Sequence, residues 1–92
     1  MIQGFRDRGT AELFLRRTSA RWAGIKKIAL RKLDQIEAAI DLNDLKAPPG
    51  NRLEALKGNR AGQHNIRINY QFRICFVWKD DGAHDVEIVD YY

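Results

Sequence analysis

Residues 64–78 read HNIRINYQFRICFVW, and the alternation inside this run decides the fold class. Ile66 and Ile68, then Phe72, Ile74, Phe76 and Trp78, recur at every second position, the period of a strand with one buried face. Asn69-Tyr70-Gln71 interrupts the alternation, so the run folds back on itself as two antiparallel strands. Arg67, Arg73, Cys75 and Val77 then fall on the opposite face. An arginine inside an apolar strand marks that face as a plausible ligand surface.

The period-two pattern extends both ways. Upstream, RLEALKG (52–58) reads as a further strand. Downstream, KDDGAHD (79–85) reads as a turn, because Asp-Asp-Gly suits positive φ. The VEIVDYY run (86–92) that follows puts Val86 and Ile88 on the apolar face and Glu87, Val89 and Tyr91 beside Arg73. At the other end MIQGF, apolar at Ile2 and Phe5, reads as a brief edge strand.

Between these segments the period is helical. TAELFLRR (10–17) predicts a short helix with Leu13 and Phe14 on one face. Trp22, Ile25, Ala29, Leu33, Ile36 and Ile40 recur at three- and four-residue steps, predicting a longer helix. Lys26, Lys27, Arg31, Lys32, Asp34 and Glu37 lie off that stripe. Thr18 or Ser19 offers a cap, Gly24 favours a later start, and APPG (47–50) bars continuation. The expected class is α+β, with two N-terminal helices packed on one face of a small, mainly antiparallel sheet, in a single domain over residues 1–92.

A chain of 92 residues supports one modest core. Its formal net charge of +4 and pI near 9.5 favour polyanionic partners. The single Cys75 cannot form a disulfide within the chain, and with only His64 and His84 it makes no zinc-ligand spacing, so neither metal nor cofactor is expected. No apolar run reaches the roughly 18 residues of a membrane span, and no secretory signal opens the chain; a cytoplasmic protein off the membrane is expected.

Three features bear on chemistry. LKGNRAGQH (56–64) combines Lys57 and Arg60 with Gly58 and Gly62, which let backbone approach a phosphate. Its spacing is not that of a P-loop, and a glycine-rich surface turn accounts for it equally well. Arg73 either forks two hydrogen bonds to a phosphate or pairs with Glu54 or Glu87, the ion pair being preferred. The cations of the longer helix read as a solvated face, with a flank for a large nucleic acid as the other reading. His64, His84, Cys75, Trp22 and Trp78 read most simply as structural, and no nucleophile neighbours either histidine.

In order and spacing, Leu56-Lys57-Gly58, Phe72-Arg73-Ile74 and the ending Asp90-Tyr91 resemble the HigB-type toxins of the RelE/ParE toxin–antitoxin superfamily. The similarity spans the whole chain. It implies a RelE-like α+β fold and ribosome-dependent, metal-free cleavage of mRNA that inhibits translation. It further implies a helix-turn-helix, HigA-like antitoxin, with promoter DNA bound only through the toxin–antitoxin complex. Lys57, Arg73, Asp90 and Tyr91 carry over as catalytic positions. The family often places histidines where this chain has Glu54 and Tyr92, so Glu54 is expected to assist as base, and Tyr92 to join Tyr91 in orienting or protonating. Arg60, Arg67 and His64 are expected to contact RNA. Two other functions share the fold: a ParE-like gyrase inhibitor, and an RNA-binding homologue that has lost activity with its histidines.

Overall fold

The computed structural model describes residues 1–91. The first helix, α1, spans Arg8–Arg16, two residues ahead of the expected start. Asp7 sets that boundary, because its extended backbone lets the carboxylate accept from Thr10 N–H at 3.0 Å. The helix stops where Arg17 enters the left-handed region at φ 63° and donates its N–H to the Leu13 carbonyl. The Arg17 guanidinium then forks onto Asp34 at 3.0 and 2.7 Å.

The longer helix, α2, is shorter than its apolar stripe. It spans Lys26–Ala38, preceded by a 3-10 turn over Ala23–Ile25. Ser19 caps that approach, accepting from Trp22 N–H at 3.4 Å, whereas α2 itself starts without a side-chain cap. Two expectations are corrected here. Ile40 lies past the helix end and is 91% exposed. Asp41 and Asp44 close a capping box around a new 3-10 turn at Leu42–Leu45 and so divert the chain before Ile40 can pack. Lys32, read as solvated, is buried at 5% exposure.

Four strands follow: β1 Glu54–Ala55, β2 His64–Arg67, β3 Phe72–Lys79 and β4 Gly82–Asp90, in the order β1-β2-β3-β4 with every neighbouring pair antiparallel. The expected strand at 52–58 contracts to two residues because Arg52 (φ 48°) and Gly58 (φ 64°) take left-handed backbone on either side. Asn69 makes the β2–β3 reversal, its side-chain oxygen accepting from Gln71 and Phe72 N–H, both at 2.8 Å. The β3–β4 turn is tighter than the expected 79–85 loop, since β4 already begins at Gly82. A bulge opposite Phe76, where Asp85 adopts φ 52°, inserts one extra residue and lets both Ala83 and Val86 be buried.

The expected N-terminal edge strand is reduced to isolated parallel bridges, Ile2 to Ala83 and Phe5 to Val86. Backbone bonds Gln3 N–H to Ala83 O and Arg6 N–H to Val86 O lay this segment along β4. Leu13 of α1, Ala29, Leu33 and Ile36 of α2, and Ile66, Ile74, Phe76, Val86 and Ile88 of the strands belong to one buried cluster. Thr10, also buried, accepts from Ile88 N–H at 3.1 Å and ties α1 to β4.

Candidate functional site

Strand register assembles the site. Glu54 pairs with Asn65, Asn65 with Cys75 and Cys75 with Glu87, so these four side chains form one row across all four strands and share one face. The next row on that face is Arg67, Arg73 and Val89. Asn65 was not singled out in the sequence, although its parity with Arg67 in HNIR places it there.

Arg73 is the centre of the arrangement. Its Nη1 donates to Asn65 Oδ1 at 3.1 Å and lies 3.6 Å from Glu54 Oε1. The Tyr91 ring covers the guanidinium, with Cζ 4.8 Å from the ring centroid, and Tyr91 Oη donates to the same Glu54 oxygen at 3.2 Å. Arg73 and Tyr91, distant in sequence, thus converge on the Glu54 carboxylate, and the buried Asn65 holds the arginine from below. The Arg73 side chain is 16% exposed, whereas those of Glu54 and Tyr91 remain about half open. A guanidinium offers five N–H donors in a fixed fork, so the held Arg73 retains donors for an incoming anion.

A second ion cluster flanks the first. Arg60, from the 3-10 turn Gly58–Arg60, donates to Glu87 Oε1 at 2.9 Å and to Gln63 Oε1 at 3.0 Å, while Arg6 Nε lies 3.8 Å from the same Glu87 oxygen. The Glu87 carboxylate raises the Arg60 pKa through the hydrogen bond they share. Cys75 lies between the clusters, 1% exposed, and burial pushes its thiol pKa up.

The remaining candidates are spread around this core. Lys57 opens the 3-10 turn with extended backbone and is exposed. Arg67 adjoins Arg73 across β2 and β3. His64 is separated from the cluster: it pairs with Phe76 and stacks on that ring, with centroids 6.4 Å apart, on the side of the apolar core. Asp90 pairs with Phe72, also on that parity, and accepts from Gln71 Nε2 at 3.1 Å. Tyr91 N–H donates to Gln71 O at 2.6 Å, so the end of β4 is bound to the β2–β3 turn. Tyr92 lies outside the described residues. Among the described residues no group of three or more His, Cys, Asp or Glu converges, and no helix is long and apolar enough to cross a membrane.

Residues 4–92 match the model of the HigB-like toxin family, described as the RelE-like toxin of type II toxin-antitoxin system HigB. The chain belongs to this family. Among curated relatives of this HigB-like chain, Toxin HigB-1 of Vibrio cholerae is 45% identical over 61 residues, a match covering 66% of this chain and 64% of that protein. Two solved structures share the fold. The YoeB-YefM complex from Staphylococcus aureus superposes with a TM-score of 0.64 at 20% identity, covering 100% of this chain and 99% of that one. The YoeB/ParE toxin from Agrobacterium tumefaciens gives 0.55 at 21% identity, covering 99% and 98%. At such identities these likenesses speak for a RelE-like α+β fold alone.

Proposed function

We propose that this HigB-like toxin is a ribosome-dependent endoribonuclease that cleaves mRNA through the Arg73, Glu54 and Tyr91 cluster, in a cytoplasmic toxin–antitoxin pair. The observation that carries it is the convergence of a guanidinium, a carboxylate and a phenol on the face of Glu54, Asn65, Cys75 and Glu87. The helices cover the other face of the sheet in this reading, and the core shared by α1, α2 and the strands supports it.

Cleavage needs an acceptor for the 2′-hydroxyl proton, positive charge for the phosphorane and a donor for the leaving oxygen. Glu54 takes the proton. The 2′-oxygen then attacks phosphorus, the bond to the 5′-oxygen breaks, and that oxygen takes a proton from Tyr91 or Lys57, leaving a 2′,3′-cyclic phosphate. Arg73 and Lys57 stabilise the charge on the phosphorane, Asp90 positions the terminal segment through Gln71, and Tyr92 assists Tyr91. Incoming phosphate competes with Glu54 for Arg73, which frees the carboxylate to act as base. Arg60 and Arg67 hold flanking RNA, and His64 supports the sheet beneath. The partner is a HigA-like helix-turn-helix antitoxin, through which promoter DNA is bound. The fold shared with the YoeB chain of a YoeB-YefM complex fits such a pairing.

The test compares wild type with Arg73→Ala and Tyr91→Phe on translating ribosomes. Loss of one charge-stabilising donor lowers the rate by about 10²–10³-fold. Unchanged transcript cleavage in both variants would sink the assignment. Inhibited supercoiling by gyrase with intact transcripts would establish the ParE-like function in its place.

A further inference from the structure

Beside Arg67, α2 and the β2–β3 turn border an open pocket of about 430 Å³, lined by Arg31, Lys32, Gly50, Arg67 and Tyr70 among others. None of its lining residues is acidic. Lys32 is the informative member. At 5% exposure, its ammonium donates to Asn51 Oδ1. Asn51 is itself fixed, because its amide nitrogen donates to Gln35 Oε1 at 3.0 Å and Leu45 O at 3.1 Å.

Among the described residues Lys32 has no carboxylate within ion-pair distance, and two of its three N–H donors remain beyond the bond to Asn51. A buried ammonium without a counterion is costly. Burial, and then the neighbouring Arg31 charge, lower its pKa. Lys32 lines this open pocket, so an anion seated there would supply its counterion. Two further features narrow the choice. Tyr70 stands 73% exposed at the same cavity, an aromatic face open to a planar group. Arg31 also lines a neighbouring, larger groove with Lys26 and Lys27, where Arg17 is already forked onto Asp34, so two further cations lie beyond the space of one small anion.

We propose that this cavity is a phosphate subsite for single-stranded RNA, in which Lys32, Arg31 and Arg67 hold a phosphodiester and Tyr70 stacks the adjoining base. Cations beside an aromatic platform are the recurring recipe for single-strand binding. An acidic peptide would use the cations and leave Tyr70 idle. The subsite rests on the reading that the protein meets RNA, and it adjoins the cleaving cluster through Arg67.

The test measures binding of a fluorescent oligouridylate by anisotropy to the Arg73→Ala protein, then to the same protein carrying Arg31→Ala, Tyr70→Ala or Lys32→Met. Arg31 and Tyr70 are exposed, so their variants fold; thermal melts establish this for Lys32→Met. Tyr70→Ala is expected to weaken binding roughly 5- to 150-fold, the range for loss of one stacked base. Arg31→Ala is expected to weaken it and to flatten the salt slope by about 0.7, the loss of one phosphate contact on a single strand.

Unchanged affinity in both exposed variants overturns the subsite, as does absence of binding by the Arg73→Ala parent. Binding that polyglutamate displaces and Tyr70→Ala leaves intact assigns the cavity to an acidic protein and also overturns it. The nuclease assignment fails separately: intact transcripts on ribosomes alongside Tyr70-dependent binding would remove the cleavage and leave the subsite standing.

Discussion

Arg73 sits in a run of apolar residues, and its surroundings explain how a charge is tolerated there. Asn65 and Glu54 take hydrogen-bonding and ionic contact with Nη1, and the Tyr91 ring covers the guanidinium plane. The sequence left open whether this arginine serves an ion pair or a phosphate. The structure has the ion pair, in a geometry that holds the side chain ready for a competing anion. Cys75, next along β3, shows the opposite environment. Its thiol pKa is raised by burial above all, so at any given pH it holds less reactive thiolate than a free cysteine, which titrates near ~8.5. Native protein at mildly alkaline pH is therefore expected to react with iodoacetamide more slowly than urea-unfolded protein, by more than about an order of magnitude. Equal labelling rates in the two states would show that Cys75 is open.

At the scale of elements, β4 depends on a glycine. Gly82 has φ 127°, and a Cβ there would fall 2.0 Å from the Met1 carbonyl oxygen. The N-terminal segment runs so close that it accepts Ala83 N–H at 2.9 Å. Gly82→Ala is expected to cost roughly 1–3 kcal/mol from backbone strain alone, with the clash added, and to lower the urea midpoint accordingly. A midpoint equal to wild type would mean that the segment does not lie along β4. The turn signal Asp-Asp-Gly was legible before the structure, as were both helices and the alternation of β2, β3 and β4. The boundaries were less so. The apolar stripe runs on to Ile40 because periodicity is blind to the Asp41 and Asp44 capping box, which the sequence carries as an Asp with a second Asp three residues on. The strand at 52–58 shrank for a reason no alternation reveals, the left-handed backbone of Arg52 and Gly58.

Across the whole molecule, only tertiary register could show which charges meet. Glu54, Arg73 and Tyr91 were individually legible as candidates, yet their convergence follows from the pairing of four strands. Lys32 was read as solvated because a helix stripe cannot foresee that Asn51, beyond the prolines, folds back onto the polar side of α2. Carboxylates that hold loops in place give the fold an acid limit. Asp44 accepts from Ile40 N–H at 2.9 Å and Asp41 N–H at 3.1 Å, and these backbone bonds depress its pKa. The hydrogen bond from His84 depresses that of Asp81. A carboxylate whose folded pKa lies below its unfolded value stabilises the fold above the unfolded value, near ~3.9, and loses that contribution as pH falls through the folded one. Asp44→Ala is therefore expected to melt below wild type at pH 7, because two backbone donors lose their acceptor at the exit of α2. The gap should narrow as acid protonates Asp44 in the wild-type protein and weakens the same bonds. Melting temperatures followed by circular dichroism from pH 7 down to about pH 2 check this, and a gap that stays constant over that range would mean that the Asp44 charge contributes nothing to the fold.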